Sequence, residues 1–267
     1  MREQRSYSSE AIILKHLDMG EADRILTLFT PYKGKFHAVA KGVRRIVSKK
    51  AGHLELLNHT QLQVAVGRNL DIITQAEGIE SFSHLRADLW HMTCGFYLAE
   101  LTDRFIEEDS LQQDIYKLLL AALRTLDEDV IALQSQLAEN TIAADQEHNR
   151  SQLLLRYYEI YLLSSVGYEP VLRTCAHCNA DLQPVENGFT PSLGGALCPN
   201  CSSLWAQPLS VNALKVMRLL QRSDWGKVPP FRLDKRTHAE MENAMRGLIR
   251  FHLERDLQSW TFLEQLR

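Results

Sequence analysis

No apolar run in the 267 residues approaches the roughly 20 that a membrane-crossing helix needs, so no spanning segment is expected. The opening Met1-Arg2-Glu3-Gln4-Arg5 leads into mixed polar residues, without the apolar centre and small-residue cleavage site of a secretory signal. A reducing, cytoplasmic setting is the expectation. Also missing are G-x-x-x-x-G-K-[ST], a G-x-G-x-x-G after a strand, H-E-x-x-H and G-x-S-x-G. Their absence argues against an ATPase, a dehydrogenase and the common hydrolases. The ten histidines show no ligand or triad spacing. The residues therefore point to a binding protein and not to an enzyme. Cysteine is sparse, five in all, yet four of the five lie together.

Those four form Cys175-Ala176-His177-Cys178 and, after 19 intervening residues, Cys198-Pro199-Asn200-Cys201. Each Cys-x-x-Cys knuckle can turn two thiolates toward one centre, and two knuckles complete a tetrahedron, the pattern of a structural zinc site. Cys175, Cys178, Cys198 and Cys201 are the expected ligands of one Zn2+. Disulfide pairing is the alternative, and it needs an oxidising compartment of which the sequence gives no sign. Four thiolates leave no open position for a catalytic water, so the metal is expected to staple its segment. Cys94 falls beside the apolar side of an expected helix and reads as a buried, inert thiol.

The net charge of -3 conceals a regional asymmetry: residues 1–80 carry +3, residues 81–174 carry -8 and residues 175–267 carry +2. Between Arg24 and Leu54 there is no Asp or Glu, while eight basic residues occur there. Five of the eight fall within Lys41–Lys50. The surrounding sequence reads as β: short branched-apolar or alternating runs at Ala11–Leu17, Arg24–Thr30, Lys35–Ala40, Gln61–Val66 and Leu70–Gln75, with turns at Pro31–Gly34 and Gly67–Asn69. Five short strands with a longer connection between the third and fourth fit a small barrel of the OB type, and an SH3-like barrel has much the same pattern. A barrel strand feeding a basic loop suits phosphate tracking, because each neutralised phosphate releases a counterion. Tyr32, Phe36 and His37 interleave with the charges as base-stacking candidates, although the alanine partners of Phe36 equally allow it to face the core.

From Ser83 the period becomes helical. Ser83 is a candidate N-cap for a first helix, Leu111–Leu126 marks a second, Val130–Leu137 a third, and Leu153–Leu163 an apolar helix stopping at Gly167. Glu139–Arg150 reads as a loop or weak helix end. The triplets Glu107-Glu108-Asp109 and Asp127-Glu128-Asp129 are expected at helix ends as solvated surface. Ser210 can cap a helix through Leu220. Thr237-His238-Ala239-Glu240 contains a His-x-Glu of the kind zinc deaminases use, but here the cysteines precede it, and a capping box with Thr237 at N-cap is the better reading. The expected architecture is α+β and multidomain: an OB-type β-barrel over 1–80 suited to nucleic acid, then an α-helical domain over 81–267 with zinc knuckles inserted at 171–209.

The order of basic barrel, helices and cysteine knuckles resembles the RecO family of bacterial DNA repair proteins. The resemblance lies in Glu10–Leu14, in Gly20–Thr30, in Gly34–Arg45 and in Val166-Gly167-Tyr168-Glu169-Pro170-Val171-Leu172 directly before the first knuckle. It covers nearly the whole chain, and Lys41-Gly42-Val43-Arg44-Arg45 and the Gly-Tyr-x-Pro junction are its most specific parts. It implies a nucleotide-independent recombination mediator that binds single- and double-stranded DNA and anneals complementary strands. It also implies work with RecR to help RecA displace single-strand-binding protein, in the cytoplasm at the nucleoid. By position it carries DNA contact onto Lys35, Lys41, Arg44 and Arg45, with Lys33, Lys49 and Lys50 as helpers. Some members lack the knuckle cysteines, so the resemblance gives zinc no central part in the shared activity. The alternative is a zinc-ribbon protein acting on RNA or in transcription.

Overall fold

The computed structural model describes residues 6–138, 148–202 and 206–266. It separates into two compact units, Met1–Ile131 with Ser259–Arg267, and Ala132–Gln258.

The first unit begins with five strands, β1 (Ser6–Met19), β2 (Asp23–Thr30), β3 (Gly34–Ala40), β4 (His59–Ala65) and β5 (Asp71–Glu80). They close a barrel in the order β1-β2-β3-β5-β4. Neighbours are antiparallel except β3 and β5, which pair in parallel at Ala38–Asp71 and Val39–Ile72. β1 pairs with β2 on one side and with β4 on the other, so its 14 residues serve two ladders. This is the OB-type connectivity expected from the strand spacing. The period-2 alternation sends Ala11, Ile13, Leu26, Leu28, Phe36, Ala38, Leu62, Val64 and Ile73 into one core. Phe36 is in that core and does not present its ring outward as a stacking platform.

Gly34 opens β3 at φ +75, and a Cβ there would lie 2.0 Å from the Ser110 carbonyl oxygen. Only glycine permits both the turn and this approach. The neighbouring Asp109 amide donates to the Lys35 carbonyl at 2.8 Å, which ties β3 to the segment after the second helix. The helices of this unit are α1 (Ser83–Ala87), α2 (Leu89–Phe105) and α3 (Gln113–Ala138), the last of which runs past Ile131. The single helix expected from Ser83 is thus two. Asp88 is extended, caps α2 by accepting from the His91 amide, and breaks the run. The second and third expected helices are one continuous α3, because nothing between Leu126 and Val130 interrupts helical geometry. Asp127-Glu128-Asp129 consequently lies inside a helix. Its Asp127 carboxylate accepts from the Leu85 amide at 2.8 Å, and buried Asp129 lies 3.3 Å from buried His91. Only the 107–109 triplet follows a helix end. The last helix, α7 (Gln258–Gln265), returns to this unit: Ser259 donates to Glu100, and Trp260 meets Tyr97 edge-on at 5.8 Å.

The second unit holds α4 (Asn149–Ser165), a three-stranded sheet in the order β7 (Gly195–Leu197), β6 (Asn187–Thr190), β8 (Gln207–Leu209), then α5 (Val211–Arg222) and α6 (Lys235–Leu253). Most of the Glu139–Arg150 loop expectation lies outside the described residues, and Asn149–Arg150 already belong to α4. α4 stops as expected at Gly167, φ +87, where the Tyr168 amide returns to the Leu163 carbonyl at 2.7 Å. Ser210 caps α5 by accepting from the Ala213 amide. α6 begins earlier than expected: Asp234, not Thr237, is its N-cap and accepts the Thr237 amide at 2.7 Å. Glu240 instead receives the Ser210 amide at 2.9 Å, so it joins α6 to the start of α5.

Candidate nucleic-acid interface and metal centre

The connection from β3 to β4 carries the basic run. Gly42 turns at φ +66 and donates its amide to Asp23 at 2.7 Å. The Arg44 amide donates to the Ala22 carbonyl at 2.9 Å, and Val43 drops into the barrel core. At the far end the Lys50 ammonium donates to the Ile73 carbonyl at 3.0 Å, and a 3-10 turn at Ala51–Leu54 buries Leu54. Burial there pushes the Lys50 ammonium below its ordinary value. The loop is therefore pinned at both ends, with successive turns closed by Arg45-to-Gly42 and Ser48-to-Arg45 amide bonds.

The seven expected DNA contacts sort into different environments. Lys41, Arg45 and Lys49 are exposed and make no ion pair among the described residues. Arg44 is exposed, but its guanidinium reaches the Gly20 carbonyl at 3.1 Å and Asp18 at 3.4 Å. Asp18 also pairs with Arg24, and these guanidinium groups hold its carboxyl below the usual range, the Arg24 hydrogen bond foremost. The acid-free stretch of sequence thus meets acids in space that come from β1 and from Glu55. Lys50 is half-buried and engaged as described. Lys33 lies 2.9 Å from Asp71 and 3.2 Å from the Tyr7 hydroxyl, with its ammonium 4.1 Å from the Phe36 ring centre. Burial and the Asp71 hydrogen bond push the Tyr7 hydroxyl up to about 12. Lys35 points inward, its side chain only 10% exposed, and its ammonium donates to the carbonyl and carboxylate of Asp103. Alternation already put Lys35 opposite Phe36, but the sequence could not show that a helix covers that face. His37 is half-buried between Thr27 and Glu108, whereas Tyr32 is 77% exposed.

Sequence reading missed two features beside the loop. One is a groove of about 520 Å³ between Lys49–Lys50 and the outer face of β4 and β5, lined by Gln61, Gln63, Gln75 and Glu77. Cross-strand pairing of Gln63 with Gln75 and of Gln61 with Glu77 puts these polar ends on one face. The polar half of the β4 alternation was its only sequence signal. The other feature is the apolar pair Ile46-Val47 at the loop tip, exposed between the basic residues.

In the second unit all four expected ligand sulfurs lie within 4.8 Å of one another. The first knuckle turns through Asn179 at φ +62, with its amide on the Cys175 carbonyl at 2.9 Å. The second closes through the Cys201 and Ser202 amides on the Cys198 carbonyl. A metal about 2.3 Å from each sulfur sets tetrahedral sulfurs about 3.8 Å apart, and Cys178 and Cys198 are 3.8 Å apart. Burial opposes the Cys175 thiolate, yet backbone N–H groups of Cys178, Cys198 and His177 outweigh it and bring that thiol down to about 6. Hydrogen bonds with Cys178 and Cys198 push Cys201 up to about 12. Four crowded sulfurs resist full deprotonation unless a cation offsets their charge, and the cluster can hold a metal ion. β6 supports it closely: a Cβ on Gly188 would lie 2.4 Å from the Ser202 hydroxyl.

Comparison with known proteins decides the family. The family models for the N-terminal and C-terminal parts of recombination protein O match residues 1–82, and 86–138 together with 136–261. The chain belongs to the RecO family. A DNA repair protein RecO from Roseiflexus sp. (strain RS-1) is 40% identical over 265 residues, covering 98% of this chain and 87% of that protein. Similar proteins of the same name occur in Dehalococcoides mccartyi (strain BAV1), at 35% identity over 100% of this chain and 98% of the relative, and in Symbiobacterium thermophilum, at 34% over 98% of each. The RecO family is one of DNA repair proteins; the barrel lies within the part matched as N-terminal and the cysteine cluster within the part matched as C-terminal. Among the described residues no helix is long and apolar enough to cross a membrane.

Proposed function

We propose that this chain is a recombination mediator that binds single- and double-stranded DNA and anneals complementary strands. With RecR it helps RecA replace single-strand-binding protein, in the cytoplasm at the nucleoid. The observation that supports this reading is the pinned loop on which Lys41, Arg44, Arg45 and Lys49 are each exposed. Annealing needs no covalent step. Two strands repel through their phosphates, and a cationic surface lowers that repulsion while base pairing supplies the driving force. The DNA set is Lys41, Arg44, Arg45 and Lys49, with Lys50 at its edge, whereas Lys33 and Lys35 serve the barrel itself. The barrel over 1–80 is the DNA-binding domain. The four cysteines bind one Zn2+ as a closed structural site, which staples the segment 171–209.

The test is annealing of complementary oligonucleotides, with and without the cognate single-strand-binding protein. The chain accelerates annealing without nucleotide, and changing Arg44 and Arg45 together to Glu abolishes both binding and annealing while thermal unfolding is unchanged. Unaltered binding by that variant removes the loop from the function. Tighter binding to RNA than to DNA of the same sequence, with no annealing, favours an RNA-directed role instead.

A further inference from the structure

The loop that carries the cations also carries Ile46 and Val47, and neither packs on anything: Ile46 is fully exposed and Val47 is 86% exposed. Three residues earlier Val43 is only 1% exposed in the barrel core, so this loop can bury an apolar side chain where its geometry calls for one. The pair is held away from the core by the loop's own construction. Behind it stand the Gly42–Asp23 and Arg44–Ala22 bonds, ahead of it the Lys50–Ile73 bond, and the turn bond from Ser48 to Arg45 spans the pair itself. Arg44 and Arg45 precede the pair, and Lys49 and Lys50 follow it. No acid occurs in the loop. An apolar tip set in a cationic collar is complementary to a ligand that alternates anionic groups with apolar faces. Nucleic acid does so at every nucleotide: phosphates outside, stacked base faces within.

We propose that Ile46 and Val47 form an aliphatic wedge that enters between adjacent bases of the bound strand while the flanking cations hold its phosphates. The inference rests on the DNA-binding reading above and adds what that site does to the DNA. Apolar side chains inserted at a base step unstack it and kink the strand. For an annealing surface the consequence is specific. A single strand that folds on itself hides its pairing edges, and a wedge that breaks stacking presents them. An aliphatic tip lacks the π face that holds a base by stacking, so it parts the bases and lets them go to the complementary strand. The groove lined by Lys49, Lys50, Gln61, Gln63, Gln75 and Glu77 offers polar ends to a displaced base.

The experiment uses the full chain and oligonucleotides carrying 2-aminopurine, whose fluorescence rises when it unstacks. The variants are Ile46→Ser with Val47→Ser, and, as control, Lys41→Gln with Arg45→Gln and Lys49→Gln. All five positions are exposed, and equal thermal midpoints verify that folding is intact. Wild type raises the fluorescence on binding. The serine variant binds at most about tenfold more weakly with an unchanged salt slope, and the fluorescence rise is lost. The glutamine variant keeps only about a quarter of the wild-type salt slope. If wild type binds DNA without a rise in fluorescence, or the serine variant keeps the full rise, the wedge is overturned and the DNA-binding reading stands. If wild type binds no DNA at low salt, that reading falls and the wedge with it. Retention of the rise by the serine variant together with lost binding to anionic vesicles reassigns the tip to a lipid surface and likewise overturns the wedge.

Discussion

Salt dependence of DNA binding measures how many loop cations meet phosphate, and the structure sets the number. Eight basic residues lie between Arg24 and Leu54, but Lys33 is held by Asp71, Lys35 by Asp103, Arg24 by Asp18 and Glu55, and Lys50 by the Ile73 carbonyl. Lys41, Arg45 and Lys49 are left to contact phosphate, and Arg44, whose contacts with Asp18 and the Gly20 carbonyl lie at the exposed surface, exchanges them for phosphate at little cost. Four single-strand contacts at about -0.7 each give a slope of log K against log[salt] near -2.8, or a loss of about 50-fold between 50 and 200 mM salt. The variant with Lys41, Arg45 and Lys49 changed to Gln keeps one contact, a slope near -0.7 and a loss of about 2.6-fold over the same range. Lys33→Gln and Lys35→Gln leave the slope unchanged. Fluorescence anisotropy of a labelled oligonucleotide at four or five salt concentrations reads all of these. A triple variant with the wild-type slope, or a Lys35 variant with a reduced one, would refute the assignment of free and engaged cations.

Lys35→Met strands the Asp103 carbonyl and carboxylate in a mostly buried site and is expected to cost about 1–3 kcal/mol in urea unfolding. Gly34→Ala combines a positive φ with a collision against the Ser110 carbonyl and should cost more than about 1 kcal/mol in the same assay. Glu80 is held down to about 2 from 4.5, first by the Arg124 hydrogen bond and then by His59. Because the folded value lies below the unfolded one, its contribution is complete above 4.5 and is lost as pH falls toward 2. Glu80→Gln should therefore flatten the acid limb of stability in that window and change nothing at pH 7 beyond a constant offset. Removing the metal with a chelator should raise hydrogen exchange across 171–209 and leave it unchanged across β1–β5, and cobalt substitution should give a four-thiolate spectrum.

The barrel was legible because alternation and turn residues are local signals: Phe36, Ala38 and Ala40 share a face by period alone, and Gly34 marks its turn. The cysteine cluster was legible because knuckle spacing fixes which sulfurs can converge. What escaped is what other elements bring. Lys35 and Lys41 look alike in sequence, and only Asp103, 68 residues from Lys35, makes one a core tether. The same holds for Asp127 and Asp129, whose acidity read as solvated surface until Leu85 and His91 gave them partners inside the unit. Cap positions failed for a related reason. Thr237 and Asp234 are both competent caps, and in the fold the Asp234 carboxylate takes both the amide and the hydroxyl of Thr237.

The return of α7 to the first unit has a consequence during synthesis. Glu100 leaves the ribosome early, and its partner Ser259 follows 159 residues later. The barrel strands have all their partners by Glu80, but α2 carries an unfilled place beside Tyr97 until Trp260 arrives. During that interval the nascent chain exposes apolar surface next to a finished cationic barrel. The length of the intervening chain itself adds little cost, about 0.6 kcal/mol for each doubling of the loop. Timing therefore places the larger burden on whatever shields α2 while the second unit is being made.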